Sequence, residues 1–205
     1  MACISWSVFK PFQSRVTWNI SAEESNIFLE GTGSIVLDRL NRKAYCAVSD
    51  RSNEELLIEF CEDFEYTPVV FNAFQSVNEA RELIYHTNVM MCVADNFVII
   101  CLDCIDDKKE RNNVIAHLKE DGKEIIKISE NQVNSFAGNM LQILDRNNNS
   151  LLIMSESAYN VLTRTQKDII NRYAKIVFSS LNTIETYGGG SARCMMAEVF
   201  LPKAK

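Results

Sequence analysis

Three side chains that together carry out covalent catalysis in many enzymes stand at widely separated positions in this chain. Glu30 precedes a glycine, His86 follows Tyr85, and Cys194 ends the run GGGSARC. A thiolate is a strong nucleophile, and a histidine protonates a leaving amine and then deprotonates water. A carboxylate orients the histidine or binds an NH-rich substrate group. If the fold brings the three together, they predict attack by a cysteine on a polar carbon–nitrogen group.

Each of these residues also has a structural interpretation. Cys194 is one of seven cysteines and fits a buried small residue, whereas His86 fits a structural histidine and Glu30 a loop cap. The glycines at 188–190 allow the backbone to approach a ligand closely, but they also fit an ordinary loop. His117, the only other histidine, lies in a predicted helix and is interpreted as a surface or half-buried residue.

The elements that must position these residues recur along the chain at intervals of slightly more than fifty residues. Small or polar residues open four apolar segments: 29–39, 85–102, 136–154 and 188–201. Each of the first three segments predicts a hairpin, with turns at 40–42, 94–96 and 147–149. A helix follows each hairpin, with predicted caps at Ser52, Asp107 and Thr163, and Gly122 is predicted to end the second helix. Short third strands are predicted at 67–74, 124–129 and 175–180.

These units predict an α/β fold in which strand, turn, strand, helix and strand repeat. One unit cannot bury its own sheet faces, so the units must stack or close into a ring. We predict a single domain, 1–205. It begins with the remnant of a preceding module, 1–26, continues with three modules, 27–80, 81–131 and 132–182, and ends with a closing half-module, 183–205. In a ring the unit starts converge, which would bring Glu30, His86, Asn139 and Cys194 into one pocket.

Composition excludes several classes of protein. The 205 residues carry a net charge of −6, so we expect no nucleic-acid partner. No long apolar run and no signal peptide are found, so we expect no membrane association. Seven cysteines without a secretion signal predict free thiols in the cytoplasm. Cys101 and Cys104 have metal-site spacing but stand alone, and they are interpreted as core residues.

Four motifs resemble the guanidino-group-modifying enzyme superfamily, the penteins. They are LEGTGSIVLDR, YHTNVMMCV, SFAGNMLQI and TIETYGGGSARCMMAEVFLP. Within the superfamily they are most similar to the arginine deiminase-related branch with proposed citrulline hydrolases, the CtlX type. The resemblance implies a pentein-type α/β propeller of ββαβ modules around a pseudo-fivefold axis. It also implies Cys194 as nucleophile, His86 as general acid and base, and Glu30 as the carboxylate that pairs with His86 or with substrate nitrogen.

One departure from the better-known deiminases bears on the substrate. Those enzymes have an aspartate two residues after the histidine, whereas this chain has Asn88. An amide removes the ion pair with a guanidinium and suits a neutral urea. The sequence therefore predicts hydrolysis of citrulline to ornithine, ammonia and carbon dioxide, with no metal and no cofactor. The residues predicted to bind this small molecule, a citrulline or arginine derivative, are Asn88, Asn139, Arg193 and Gly190.

The length is the second departure, because five units of about 52 residues need about 260. We therefore expect an N-terminally shortened propeller with about four of five modules. An open ring exposes sheet edges, which favours a homo-oligomer. Two alternatives to citrulline hydrolysis stay open: a truncated, non-catalytic remnant that acts as an interaction protein, and an amidinotransferase or arginine deiminase.

Overall fold

The computed structural model describes residues 26–78 and 80–198. The predicted module remnant at 1–26 therefore lies almost wholly outside the described residues, as does the end of the strand predicted at 188–201. No helix in the described ranges is long and apolar enough to cross a membrane.

The first module begins with a helical turn and contains two strands, a helix and a third strand. They are α1 (Gly31–Ser34), β1 (Val36–Asp38), β2 (Lys43–Ala47), α2 (Glu54–Phe64) and β3 (Thr67–Phe71). β1 pairs antiparallel with β2, and β2 pairs parallel with β3. The α2 cap predicted at Ser52 is wrong by one residue, because the Asn53 side chain accepts the Leu56 N–H. Ser52 is buried and lies in the bridge that precedes the helix.

A short hairpin follows that the sequence did not predict. It consists of β4 (Phe74–Val77) and β5 (Ala80–Leu83), paired antiparallel. Arg81 attaches this hairpin to the two modules that follow it, because its guanidinium lies 2.6 Å from both Asp106 and Glu130. Glu130 also accepts the Ser76 N–H at 2.9 Å. The hairpin is thus fixed near its turn by charged contacts, since Ser76 and Arg81 are paired one position from the turn.

The second module repeats the order of the first. It contains a 3-10 turn (Thr87–Val89), β6 (Met91–Val93), β7 (Phe97–Ile100), a second 3-10 turn (Leu102–Cys104), α3 (Lys108–Glu120) and β8 (Glu124–Lys127). β6 and β7 are antiparallel, and β7 and β8 are parallel. Asp107 caps α3 as predicted, and Gly122 follows the helix at a φ of 69°. Cys101 and Cys104 are both fully buried, as expected of core residues.

The third module follows the same plan but has three helices, one more than the first module. It contains α4 (Glu130–Asn134), β9 (Leu141–Leu144), β10 (Ser150–Ser155), α5 (Glu156–Val161), α6 (Arg164–Asn171) and β11 (Lys175–Ser179). Thr163 caps α6 in a reciprocal capping box with Gln166, as predicted. After this module come α7 (Asn182–Tyr187) and a 3-10 turn (Arg193–Met195), where the sequence predicted a strand start.

The three sheets share one topology and lie side by side. In each, the first two strands are antiparallel and the third is parallel to the second. β1 contacts β6, and β6 contacts β9, so the first strands of successive modules are neighbours. A buried ion pair joins the first two modules, with Lys123 Nζ 2.7 Å from Asp38 Oδ2. The ββαβ order is therefore observed, whereas closure of a fivefold ring and the module boundaries stay predictions.

Candidate active site

Glu30 and His86 form a hydrogen-bonded pair. Glu30 stands directly before α1, and its backbone N–H donates to Ser34 Oγ at 2.9 Å. His86 stands directly before the first 3-10 turn of the second module. The distance from Glu30 Oε2 to His86 Nε2 is 2.7 Å. Helical turns at the starts of two modules therefore place the carboxylate against the imidazole.

A glycine lets the imidazole lie directly on the backbone of α1. A Cβ built at Gly33 would lie 2.8 Å from the His86 ring, well inside van der Waals contact. Any other residue at this position would displace the ring. Gly33 thus fixes the orientation in which His86 Nε2 faces Glu30.

Three features of its surroundings shift the pKa of His86: burial, the Glu30 carboxylate and the Arg51 guanidinium. Burial lowers the pKa of the imidazole below its ordinary value, and Glu30 only partly offsets this effect. Arg51 lowers the pKa further, and its guanidinium lies 3.7 Å from Glu30 Oε2. A lowered pKa keeps His86 neutral near pH 7, where it is able to accept a proton. Arg51 could not be predicted as part of the site, because its contact with Glu30 depends on the fold.

Replacing Glu30 with glutamine is expected to lower the pKa of His86 further. The carboxylate raises this pKa by its hydrogen bond and its charge, and the amide of Glu30→Gln has no charge. An NMR titration of the imidazole checks the direction, with His117 as the internal reference because the chain has two histidines. An unchanged or raised His86 pKa would contradict the role given to the Glu30 charge.

Two asparagines surround the Cys194 sulfur. Asn139 Nδ2 lies 3.2 Å from Cys194 Sγ, and Asn88 Nδ2 lies 3.8 Å from it. Asn139 also donates to the Asn88 carbonyl at 3.1 Å and accepts the Arg193 N–H at 3.1 Å. The 3-10 turn that carries Cys194 is therefore attached to the starts of the second and third modules. Cys194 is exposed, unlike the other five described cysteines, which are buried.

One atom of Asn88 has no partner among the described residues. The side chain is 3% exposed, and its Nδ2 donates to the Thr32 carbonyl at 3.2 Å. Its Oδ1 is buried and accepts no hydrogen bond. A buried acceptor without a donor is costly, and a ligand N–H at this position would satisfy it.

Glycines also allow close backbone approach around the thiol. A Cβ at Gly190 would lie 3.1 Å from Cys194 Sγ, so the loop backbone packs against the sulfur. A Cβ at Gly138 would lie 2.3 Å from the Val89 carbonyl oxygen. Because Gly138 precedes Asn139 and Val89 follows Asn88, this approach sets the distance between the two asparagines.

Replacing Gly138 with alanine is expected to destabilise the protein by about 1–3 kcal/mol, because backbone atoms must move to admit the methyl group. Urea denaturation measures the change in the free energy of unfolding. A Gly138→Ala variant as stable as the unmodified protein would contradict the close approach to Val89.

A cleft of about 150 Å³ opens beside these residues. Its polar lining consists of Gln75, Tyr85, Asn134, Asn139, Gly190 and Cys194. Its apolar lining consists of Val89, Val133 and Phe136. None of the described lining residues carries a carboxylate. The cleft thus offers a thiol and amide groups, and it suits a small polar ligand.

The structure places the remaining predicted residue, Arg193, beside the cleft. Its guanidinium donates to the Met196 carbonyl at 3.1 Å and lies 3.9 Å from Glu198. Its backbone N–H, rather than its side chain, contacts Asn139. Substrate binding by Arg193 stays a prediction. Within residues 26–78 and 80–198, no cluster of three or more His, Cys, Asp or Glu side chains has the arrangement of a metal site.

Comparison with known proteins gives one family and several similar folds. The family model of eukaryotic N,N dimethylarginine dimethylhydrolases matches residues 10–201. ArgZ, an arginine dihydrolase from the ornithine–ammonia cycle in cyanobacteria, is 18% identical with a TM-score of 0.65, over 85% of this chain and 25% of ArgZ. The N-terminal domain of ArgZ bound covalently to a reaction intermediate is 19% identical with a TM-score of 0.61, over 82% of this chain and 55% of that one.

AgrE in a ternary complex with ornithine and NAD⁺ is 16% identical with a TM-score of 0.63, over 86% of this chain and 23% of AgrE. At these identities the similarity shows a shared mixed α/β fold. The chain spans about a quarter of the length of ArgZ and AgrE. No curated protein matches the chain significantly.

Proposed function

Because this chain belongs to the family of eukaryotic N,N dimethylarginine dimethylhydrolases, we propose that it hydrolyses a terminal carbon–nitrogen bond of an arginine-like amino acid through a covalent intermediate on Cys194. The family match confirms the arginine-related pentein family predicted from the motifs. The citrulline-hydrolase type, the cytoplasmic location and self-association stay predictions.

One observation carries the proposal. The paired Glu30 and His86 and the exposed Cys194 are tied to the same short segment, because Asn88 lies two residues after His86 and contacts the sulfur. Asn139 supports the sulfur from the next module. A thiol, an imidazole held by a carboxylate, and amide donors are the groups that hydrolysis through a thioester requires.

We propose the following steps for a ureido substrate. Neutral His86 takes the proton of the Cys194 thiol, and the resulting thiolate adds to the ureido carbon. The carbon–nitrogen bond to ornithine then breaks as His86 passes this proton to the departing amine, which leaves the imidazole neutral again. The enzyme then carries a carbamoyl group on sulfur. Water that has lost a proton to His86 attacks this thioester, and the thiolate leaves. The released carbamate decomposes to ammonia and carbon dioxide.

The surroundings of Asn88 support a neutral substrate. Its unpartnered Oδ1 accepts an N–H from a urea without requiring a charge, and the described lining of the cleft has no carboxylate to pair with a guanidinium. We therefore propose citrulline as the substrate. The family description favours a second candidate, a methylated arginine, which hydrolysis of the guanidino carbon would convert to citrulline and an amine.

A substrate panel tests the proposed reaction. The purified chain is incubated with citrulline, arginine and N,N-dimethylarginine, and ornithine, citrulline, ammonia and dimethylamine are measured. Ornithine with ammonia from citrulline would support the first candidate, whereas citrulline with dimethylamine would support the second. No product from any of the three, in protein shown to be folded, would overturn hydrolysis and favour the non-catalytic alternative.

Replacing Asn88 with aspartate is expected to shift the preference from ureido toward guanidino substrates. A carboxylate forms charge-assisted hydrogen bonds with a guanidinium, and such bonds are worth about 1.5–3 kcal/mol, or about ten- to a hundredfold in relative kcat/KM. The measurement is the ratio of kcat/KM for arginine to that for citrulline. Asn134→Asp, which adds a charge to an exposed residue that lines the cleft beside Cys194, is the matched control. An unchanged ratio in Asn88→Asp would contradict selection by this position.

A further inference from the structure

Tyr85 contacts three separate parts of the candidate site. Its carbonyl accepts a hydrogen bond from Ser49 Oγ at 2.8 Å, and its ring lies 5.4 Å from the Arg51 guanidinium. The same ring lies 4.9 Å from the His86 ring. Its hydroxyl donates to the Gly189 carbonyl at 3.1 Å. Tyr85 is therefore fixed to the first module on one side and bonded to the loop at 188–190 on the other.

The loop at 188–190 has few contacts of its own. Gly189 has a φ of 67°, and nothing lies within 4 Å of the position its Cβ would occupy. Tyr187, the residue directly before this loop, is 86% exposed. At Gly190, in contrast, an added Cβ would lie 3.0–3.1 Å from the Cys194 side chain, so this part of the loop packs against the thiol. The loop is thus open on one side and in contact with the thiol on the other.

We propose that the Tyr85 hydroxyl is a positioning group that holds the loop at 188–190 against Cys194. The inference rests on the proposed function, because it assigns this bond a purpose in keeping the thiol aligned with the imidazole. Tyr85 precedes His86 in the chain, so a bond from Tyr85 to Gly189 couples the backbone that carries the histidine to the loop that packs on the sulfur.

The Cys194 sulfur is contacted by two groups, the side-chain amides of two asparagines and the backbone of the loop at 188–190. Asn139 and Asn88 direct amide N–H groups at Cys194 Sγ, and Gly190 packs on it from the loop. The amide contacts come from buried residues, which are 2% and 3% exposed. The loop contact depends on an exposed segment, and the Tyr85 bond attaches that segment to the rest of the site. Loss of the Tyr85 hydroxyl therefore releases the contact between the loop and the thiol, whereas the contacts from Asn139 and Asn88 remain.

The test is the chemical reactivity of Cys194 in Tyr85→Phe, which keeps the ring and removes the hydroxyl. Iodoacetamide modification is followed by peptide mass spectrometry on the free protein, without substrate. We expect Cys194 alkylation to accelerate about three- to tenfold, the factor that corresponds to one net hydrogen bond. Amide hydrogen exchange at 188–190 should accelerate with it. We also expect kcat to fall by a similar factor, with KM changed less than kcat.

Tyr173→Phe is the matched control, because its hydroxyl also bonds a protein acceptor, Glu124 at 2.8 Å, on a helix-flanking surface away from the cleft. This variant should leave the Cys194 alkylation rate unchanged. Equal alkylation and exchange rates in Tyr85→Phe and the unmodified protein would overturn the proposal. Faster alkylation in Tyr85→Phe, in a protein that turns over none of the substrates, would support the positioning contact and overturn the proposed reaction instead.

Discussion

Replacement of Cys194 by serine is expected to reduce product formation by at least about a thousandfold, because the thiolate is the nucleophile and a serine hydroxyl stays protonated near neutral pH. The substitution removes little volume, so Asn139 and Gly190 keep their positions. Release of ornithine or citrulline from the preferred substrate is the measurement. Acid quenching during turnover should also trap a carbamoyl or amidino adduct on the Cys194 peptide of the unmodified protein.

Cys61→Ala is the matched control for this experiment. Cys61 is buried in α2, in a small apolar cluster with Leu57, and has no contact with the cleft. The variant should lose some stability and retain its turnover per folded molecule. Activity that survives in Cys194→Ser, or an adduct on a different cysteine, would refute the assignment of the nucleophile.

Removal of the buried lysine between the first two modules is expected to cost about 3–5 kcal/mol in the free energy of unfolding, because it leaves a carboxylate buried without its counter-charge. Lys123 Nζ lies 2.7 Å from Asp38 Oδ2, and the two side chains are 0% and 2% exposed. The same ammonium donates to the Ala94 and Asp95 carbonyls at 2.8 and 3.0 Å. Urea denaturation of Lys123→Met measures the loss.

Two further variants separate charge from packing. The double variant Lys123→Met with Asp38→Leu removes both charges and should recover part of the loss, since an apolar pair tolerates burial. Arg164→Met breaks an exposed pair with Asp168, whose side chains are 96% and 69% exposed, and should change stability by less than about 1 kcal/mol. A Lys123→Met variant as stable as Arg164→Met would show that the buried pair does not hold the modules together.

The repeated part of the fold was predictable from the sequence because its signals are local. Asn and Asp at the predicted turns, apolar alternation beside them and capping residues before the helices all act within a few positions. The three hairpins and the three parallel third strands accordingly lie where they were expected. The helix cap predicted at Ser52 and observed at Asn53 shows the limit of this approach, since either of two adjacent polar residues suits an N-cap by its type.

The elements that were not predicted depend on contacts or backbone angles that a local sequence pattern does not show. The hairpin of β4 and β5 gains its position from Arg81, which reaches Asp106 in the second module and Glu130 at the start of α4 in the third. The starts at Glu30 and His86 were predicted as strand beginnings, but both precede helical turns. Gly31 adopts a φ of 52° there, which a pattern of apolar residues does not reveal.

The proximity of the site residues was predicted only through the repeat. Glu30 contacts His86, and both Asn88 and Asn139 contact Cys194, as expected if the module starts converge. Their chemical roles stay predictions. Arg51, Tyr85 and Gly33 contribute to the site but gave no signal, because each acts through a neighbour that is distant in sequence.

The spacing of these contacts determines what spectroscopy can report about this protein. Each three-stranded sheet closes within a short stretch of chain, whereas the contacts at Cys194 and His86 join residues 55 to 106 positions apart. Short loops close at a smaller entropic cost than long ones. Far-ultraviolet circular dichroism therefore records whether the modules have folded, and the reactivity of the thiol records whether they have docked. A preparation that has its full secondary structure must therefore also be tested for thiol reactivity, because only that measurement shows that the candidate site has formed.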